Sequence, residues 1–249
     1  MNPKVSIVTV TYNCENEIEN TIKSIISQTY SNIEYIIIDG ASKDRTLSII
    51  NKYKQHITIC ISEPDKGIFD AMNKAINMAT GKWILFMNAG DSFINNDIVK
   101  NIFNNFNYDE NIGVIFGDAF FVKRGEKKLY KSRPFYSEKI KYKEMGICHQ
   151  SIFCRTDLAK LIKFDIKYKY AADYNMIMQI YKKGYAFYNL NYPIAIYDLT
   201  GLSTNNCISQ FKEVAAICEV PQKSFLYISK YANAIKKKLK GLIKRILNK

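Results

Sequence analysis

Asp39, Asp65 and Asp91 share a setting: each follows an apolar run and lies among small or polar residues. The run before Asp91, Ile84-Leu85-Phe86-Met87, has no polar alternation and reads as a strand covered on both faces. It breaks off into Asn88-Ala89-Gly90-Asp91. A carboxylate in such a turn can close an ordinary loop or cap a helix. At the rim of a sheet it can also hold a divalent cation, which prefers oxygen ligands. Asp39-Gly40-Ala41-Ser42 and Glu63-Pro64-Asp65-Lys66-Gly67 end two further runs, and Thr11-Tyr12-Asn13 ends the first. One polar exit is loop composition. Four of them converging argues for a site.

The elements that would gather these residues alternate between strand and helix patterns. KVSIVTVTYN, IEYIIIDG, ITICISEPD and KWILFMNAGD read as strands. ENEIENTIKSIISQ, SKDRTLSIINKY and GIFDAMNKAINMAT read as the helices between them, with Ser42 as the expected N-cap of the second. Alternation of this kind predicts a parallel sheet with helices on both faces, whose ligands sit beyond the carboxyl ends of the strands. Further on, IGVIFGDAFFV predicts one strand, or a pair turning at Gly117-Asp118. Basic, Tyr-rich loops are expected up to Tyr142. GICHQSIFCR reads as a short strand, and ADYNMIMQIYKKG as a helix ending at Gly184.

Charge narrows the choice of partner. The 249 residues carry a formal charge of +13, but nine of the 36 Lys and Arg lie between Lys223 and Lys249, where there is no acid. The body, residues 1–222, is nearly balanced at 27 basic against 23 acidic groups. That distribution argues against a nucleic-acid groove. Cysteines 14, 60, 148, 154, 207 and 218 form no CxxC pair, as expected of free thiols in a reducing cytoplasm. The opening residues are too short an apolar run for a signal peptide, and no run reaches the ~20 apolar residues of a membrane-spanning helix.

Taken in order, VSIVTVTYNCENEIENTIKSIISQTYSNIEYIIIDGASKDRT, SEPDKGIFDAMNKAINMATGKWILFMNAGD and AADYNMIMQI resemble the family 2 glycosyltransferases, over roughly residues 3–205. These are inverting, nucleotide-sugar-dependent enzymes with the GT-A fold, an α/β, Rossmann-like and mostly parallel sheet. The resemblance implies that Thr11, Tyr12, Asn13 and Asp39 line a nucleoside pocket, with Ser42 beside them. It implies that Asp65, Lys66 and Gly67 close that pocket, Lys66 facing phosphate charge. Asn73, Asn88, Ala89 and Gly90, and the later His149 and Gln150, join the implied donor site. Asp91 is the implied ligand of Mn²⁺ or Mg²⁺. The family's metal turn usually offers more than one acid; here Asn88 and Gly90 stand at those places. Asp173, at the start of a helix, is the implied catalytic base, and Gly201 to Thr204 resemble a late loop near the donor phosphates.

The reading that follows is a GT-A domain over 1–222. Residues 1–118 are its nucleotide-sugar half and 119–222 its acceptor half, with a tail over 223–249. In that tail Ile228, Tyr231, Ala232, Ile235, Leu239, Leu242, Ile243 and Ile246 follow helical spacing. Such a basic amphipathic helix fits a membrane surface or packs on the domain. The expected enzyme is a hexosyl- or N-acetylhexosaminyl-transferase, using a nucleotide sugar, UDP-linked by expectation. Its acceptor would be a glycan or lipid-linked glycan in polysaccharide assembly, at the inner face of the cell membrane. Two rivals remain. A nucleotidyltransferase would carry a Gly-rich basic loop after the first strand, and Thr11-Tyr12-Asn13-Cys14-Glu15 is neither. A binding protein without catalysis would fit the thinned acidic turn.

Overall fold

The computed structural model describes residues 2–104, 109–123, 125–133, 146–199, 207–223, 227–229 and 231–236. The first half follows the expected order: β1 (Val5–Thr11), α1 (Ile18–Ile26), β2 (Ile33–Asp39), α2 (Thr46–Asn51), β3 (Ile59–Ser62), α3 (Ile68–Met78) and β4 (Trp83–Phe86). Then come β5 (Ser92–Phe93), α4 (Ile98–Phe103), β6 (Ile112–Lys123), β7 (Glu126–Tyr130), β8 (Ile152–Arg155), α5 (Thr156–Ile162), α6 (Ala172–Lys182), β9 (Ala186–Asp198) and α7 (Cys207–Ile217).

One nine-stranded sheet runs β3-β2-β1-β4-β8-β6-β9-β5, with β7 paired to β6. The first four strands are mutually parallel. The period of two in strand side chains then divides the apolar runs between two layers. Val8, Val10, Ile36, Ile38, Ile84 and Phe86 face α3, α5, α6 and α7. Val5, Ile7, Tyr35, Ile37, Trp83 and Leu85 face α1, α2 and α4. Because both faces are covered, the strands need no polar alternation, and β1 and β4 are buried throughout.

The second half departs from the sequence reading at β7 and β8, and the first half at the start of α2. β8 enters antiparallel between β4 and β6, so the sheet is mixed at its centre. Of the two expectations for IGVIFGDAFFV, the single strand holds: β6 continues through Gly117-Asp118 with register shifts against β9. Part of the stretch expected to be loop is β7, hairpinned onto β6. In the first half, α2 starts at Thr46, not at Ser42, because the Ser42 side chain is spent on Asp39. Five cysteines, 14, 60, 148, 154 and 218, are free thiols.

The start of the tail packs on the domain: Tyr227 and Tyr231 lie 5.1 Å and 5.8 Å from Phe211 on α7. Ile228 and Ile235 instead face outward, 57% and 36% exposed. Residues 237–249, and the 201–204 loop, lie outside the described residues. Among the described residues no helix is long and apolar enough to cross a membrane.

Candidate active site

The parallel register sets Thr11 beside Asp39, so the exits of β1 and β2 adjoin. Asp39 is wholly buried and accepts from three groups: the Ser42 amide at 2.9 Å, the Ser42 hydroxyl, and the Ser62 hydroxyl at 2.6 Å. The Asn13 amide donates to the same Ser42 oxygen at 2.8 Å, and Asn13 Oδ1 accepts from the Lys43 amide. Asp39 therefore shapes the rim through Ser42 and Asn13. Tyr12, between them, is 57% exposed, an open apolar ring at a polar rim.

Asp65 closes this group from β3. A Cβ placed on Gly40 would stand 2.6 Å from Asp65 Oδ2 and 3.3 Å from Tyr12 Cδ2, so a side chain there would push the Asp65 carboxylate aside. Asp65 Oδ1 accepts from the Gly67 amide, and the Lys66 amide donates to Asp70, leaving the Lys66 side chain exposed. The hydroxyl of Thr11 is buried without a partner. Asn73 is engaged elsewhere, its amide making two 2.8 Å bonds to the backbone of Phe164.

The turn after β4 is closed by the Asp91 amide donating to the Asn88 carbonyl at 3.0 Å and braced by one hydroxyl. Thr21 on α1 accepts from the Gly90 amide at 3.0 Å and donates to the Asp91 carbonyl at 2.7 Å. Gly90 has φ 99°, a left-handed conformation that lets the chain reverse between Asn88 and Asp91. Asp91 directly precedes β5 and caps no helix. Its carboxylate, 4% exposed, accepts from Gln150 Nε2 at 2.9 Å and from the Asp198 amide at 3.2 Å. Burial drives its pKa up to about 7, only partly opposed by those two bonds, and the nearby Asp198 carboxylate pushes the same way. Asp198, at the end of β9, was not legible in the sequence, since nothing around Tyr197-Asp198-Leu199 marks it.

Next to Gln150, His149 spans to the other acid. Its Nδ1 lies 3.6 Å from Asp173 Oδ2 and its Nε2 lies 3.2 Å from Asn88 Nδ2. With the Asn88 amide donating, Nε2 accepts and the neutral ring carries its proton on Nδ1, toward Asp173. Burial lowers the His149 pKa against the pull of Asp173, which keeps the ring neutral at physiological pH. Burial raises the Asp173 pKa, against the His149 interaction and the Tyr174 amide. The pair His149-Gln150 thus bridges Asp173 to Asp91. Both carboxylates bear electrostatically on the buried Cys148 thiol beside them. Asn88 Oδ1 is buried and unpartnered at the same place.

An open aromatic face and a serine-braced aspartate at one rim, with two desolvated acids beside it, suit a nucleotide-linked substrate and an acid-base step. The same fold occurs in S. aureus TarS 1–349 in complex with UDP-GlcNAc (TM-score 0.67, 19% identity, covering 94% of this chain and 72% of that one). It occurs also in the mannosyltransferase PcManGT of Pyrobaculum calidifontis in complex with GDP-Man and Mn²⁺ (TM-score 0.67, 18% identity, 94% and 69%). Fold and site together define a glycosyltransferase of the GT-A type.

The model of glycosyl transferase family 2 matches residues 6–170, and the chain belongs to that family. It is 33% identical over 217 residues to the UDP-Glc:alpha-D-GlcNAc-diphosphoundecaprenol beta-1,3-glucosyltransferase WfaP of Escherichia coli, across 84% of this chain and 82% of that one. A PGL/p-HBAD biosynthesis glycosyltransferase of Mycobacterium bovis is 30% identical over 177 residues, 70% of this chain and 68% of its own.

Proposed function

We propose that the enzyme is an inverting transferase that moves a hexosyl or N-acetylhexosaminyl group from a UDP-sugar to a hydroxyl of a lipid-linked glycan. Surface polysaccharide or glycolipid assembly is its setting. The observation that carries this reading is the His149-Gln150 bridge between a half-buried Asp173 and a buried Asp91. Asp173 takes the proton of the acceptor hydroxyl as that oxygen attacks the anomeric carbon opposite the diphosphate, which inverts the centre. A carboxylate with a raised pKa is a better base than one exposed to water. Neutral His149 holds Asp173 in place, and Tyr12, Asp39 and Asp65 orient the nucleoside. The relative that acts on a diphosphoundecaprenol-linked sugar supports the donor and acceptor classes.

The residues of the acidic turn fit a divalent cation. Asp91 is costly to ionise where it stands, its carboxylate has lone pairs beyond the two it shares, and the unpartnered Asn88 Oδ1 is a second oxygen donor. Asp91 would hold Mn²⁺ or Mg²⁺, with Asn88 and Asp198 beside it. When bound, the cation offsets charge on the departing diphosphate. Residues 1–118 would serve the donor and 119–222 the acceptor.

Melting curves with UDP, GDP, dTDP and CMP, each with and without Mn²⁺, test the donor class. UDP with Mn²⁺ is expected to raise the midpoint most, by about 2.7 kcal/mol of stabilisation at a hundredfold excess over Kd. A larger rise with GDP, or none with any nucleotide, sinks the assignment.

The tail would hold the enzyme at the inner face of the membrane. Six of its nine basic residues lie in 237–249, and each contributes about 1 kcal/mol near anionic lipid. Deleting 237–249 spares the Tyr227 and Tyr231 contacts with Phe211. It is expected to abolish sedimentation with phosphatidylglycerol vesicles while leaving the melting point nearly unchanged. Unaltered sedimentation refutes the anchor.

A further inference from the structure

Asp173 stands in the first turn of α6, whose preceding residue, Ala171, offers no capping side chain. The backbone amides leading into that turn need an acceptor, since a buried N–H without one is costly and Ala171 is 1% exposed. They find it on α7. Glu213 Oε1 accepts from the Lys169 amide at 2.9 Å, and Oε2 accepts from the Tyr170 amide at 2.8 Å and the Ala171 amide at 2.9 Å. Three successive N–H groups on one carboxylate make a clamp with more bonds than a Ser or Asn cap supplies.

α7 is itself tied to α6. Phe211, Val214, Ala215 and Ile217 are buried in the core that includes Ala171, Ala172 and Ile177. The Tyr174 hydroxyl lies 3.1 Å from Cys218 Sγ, and Lys182 pairs with Glu219 at 3.2 Å.

We propose that Glu213 is the positioning residue for Asp173, fixing the turn from which that carboxylate meets His149 and the acceptor hydroxyl. This rests on the reading of Asp173 as the base. Glu213 touches no reacting atom; it acts through the 169–171 backbone. A second effect follows from its charge. Among the described residues, the titratable groups facing Asp173 are His149, Cys148 and Glu213, and the Glu213 carboxylate makes ionisation of Asp173 harder.

The full-length enzyme carrying E213Q or E213D separates positioning from mere stability. In E213Q the side-chain amide turns N–H groups toward backbone donors, and one of the three bonds or more is lost. Turnover is expected to fall by about 10²-fold, the cost of a misplaced reacting group, while KM for the sugar nucleotide stays within about twofold. The acidic limb of the kcat–pH profile moves to lower pH, because the neighbouring charge is gone. E213D keeps the charge but is one methylene short: kcat falls and the limb stays.

Should E213Q not fold, E213D alone decides through its kcat. Wild-type kcat with an unmoved acidic limb in the folded variants overturns the proposal. D173N assayed in parallel distinguishes the two levels. If D173N is inactive and the Glu213 variants turn over normally, only the clamp is wrong; an active D173N removes the base on which it rests.

Discussion

Asp173→Asn is expected to lower kcat by about 10² to 10⁴-fold, the range typical of general-base help, with UDP affinity changed less than about twofold. The substitution is nearly isosteric. The carboxamide oxygen it introduces still accepts from the Tyr174 amide, as the carboxylate does, so the α6 turn is preserved. The nucleoside rim, built from the exits of β1, β2 and β3, lies outside the interaction being removed. The one function lost is proton acceptance from the incoming hydroxyl. Calorimetric titration with UDP beside a transfer assay measures both quantities. Normal turnover would disprove the base; a large loss of UDP affinity would make Asp173 a donor ligand.

Asp91→Asn comes second, with an expected loss of about 10² to 10³-fold in kcat, comparable to removing one preorganised charge-stabilising group at a transition state. Here pH supplies an independent check. The Asp91 pKa is raised to about 7 in the folded protein, above the ordinary carboxylate value of an unfolded chain. The native state therefore binds the extra proton between about pH 4 and pH 7. That contribution to stability is complete at low pH and disappears as pH rises through the folded value. Without divalent cations, the melting point is expected to fall between about pH 4 and pH 7 and to level off above that. Mn²⁺ needs the ionised carboxylate, so the rise it produces should grow over the same interval. The D91N variant, with no proton to release there, should lose most of both slopes. A cation response that is flat in pH, or retained in D91N, would detach the metal from Asp91.

What the sequence made legible was local. The four apolar runs marked out β1 to β4, and their polar exits pointed to Thr11, Tyr12, Asn13, Asp39, Asp65 and Asp91, because β1, β2 and β4 are buried on both faces and β3 lies beside them at the sheet edge. What it hid was long-range. His149 and Gln150 reach the acidic turn only because β8 enters beside β4, pairing Trp83 with Arg155 and Ile84 with Cys154. A four-residue strand of Ile, Phe, Cys and Arg does not announce its partner or its direction. Asp198 and Glu213 were hidden for the same reason: their roles are hydrogen bonds to groups 107 and 42 to 44 residues away. Ser42 has the residue type of a helix cap, but serine serves both uses, and the adjacent buried Asp39 carboxylate takes its hydroxyl instead.

Strand interleaving bears on how members of this family can be recombined. β8 is inserted beside β4, while β5, which immediately follows Asp91, crosses to the far edge and pairs with β9 through Ser92–Ile196 and Phe93–Ala195. The two halves of the polypeptide are laced together rather than joined at a seam. A chimera cut near residue 118 would exchange a lace for half a lace; grafted segments would have to carry β5 and β9 together, as a matched pair.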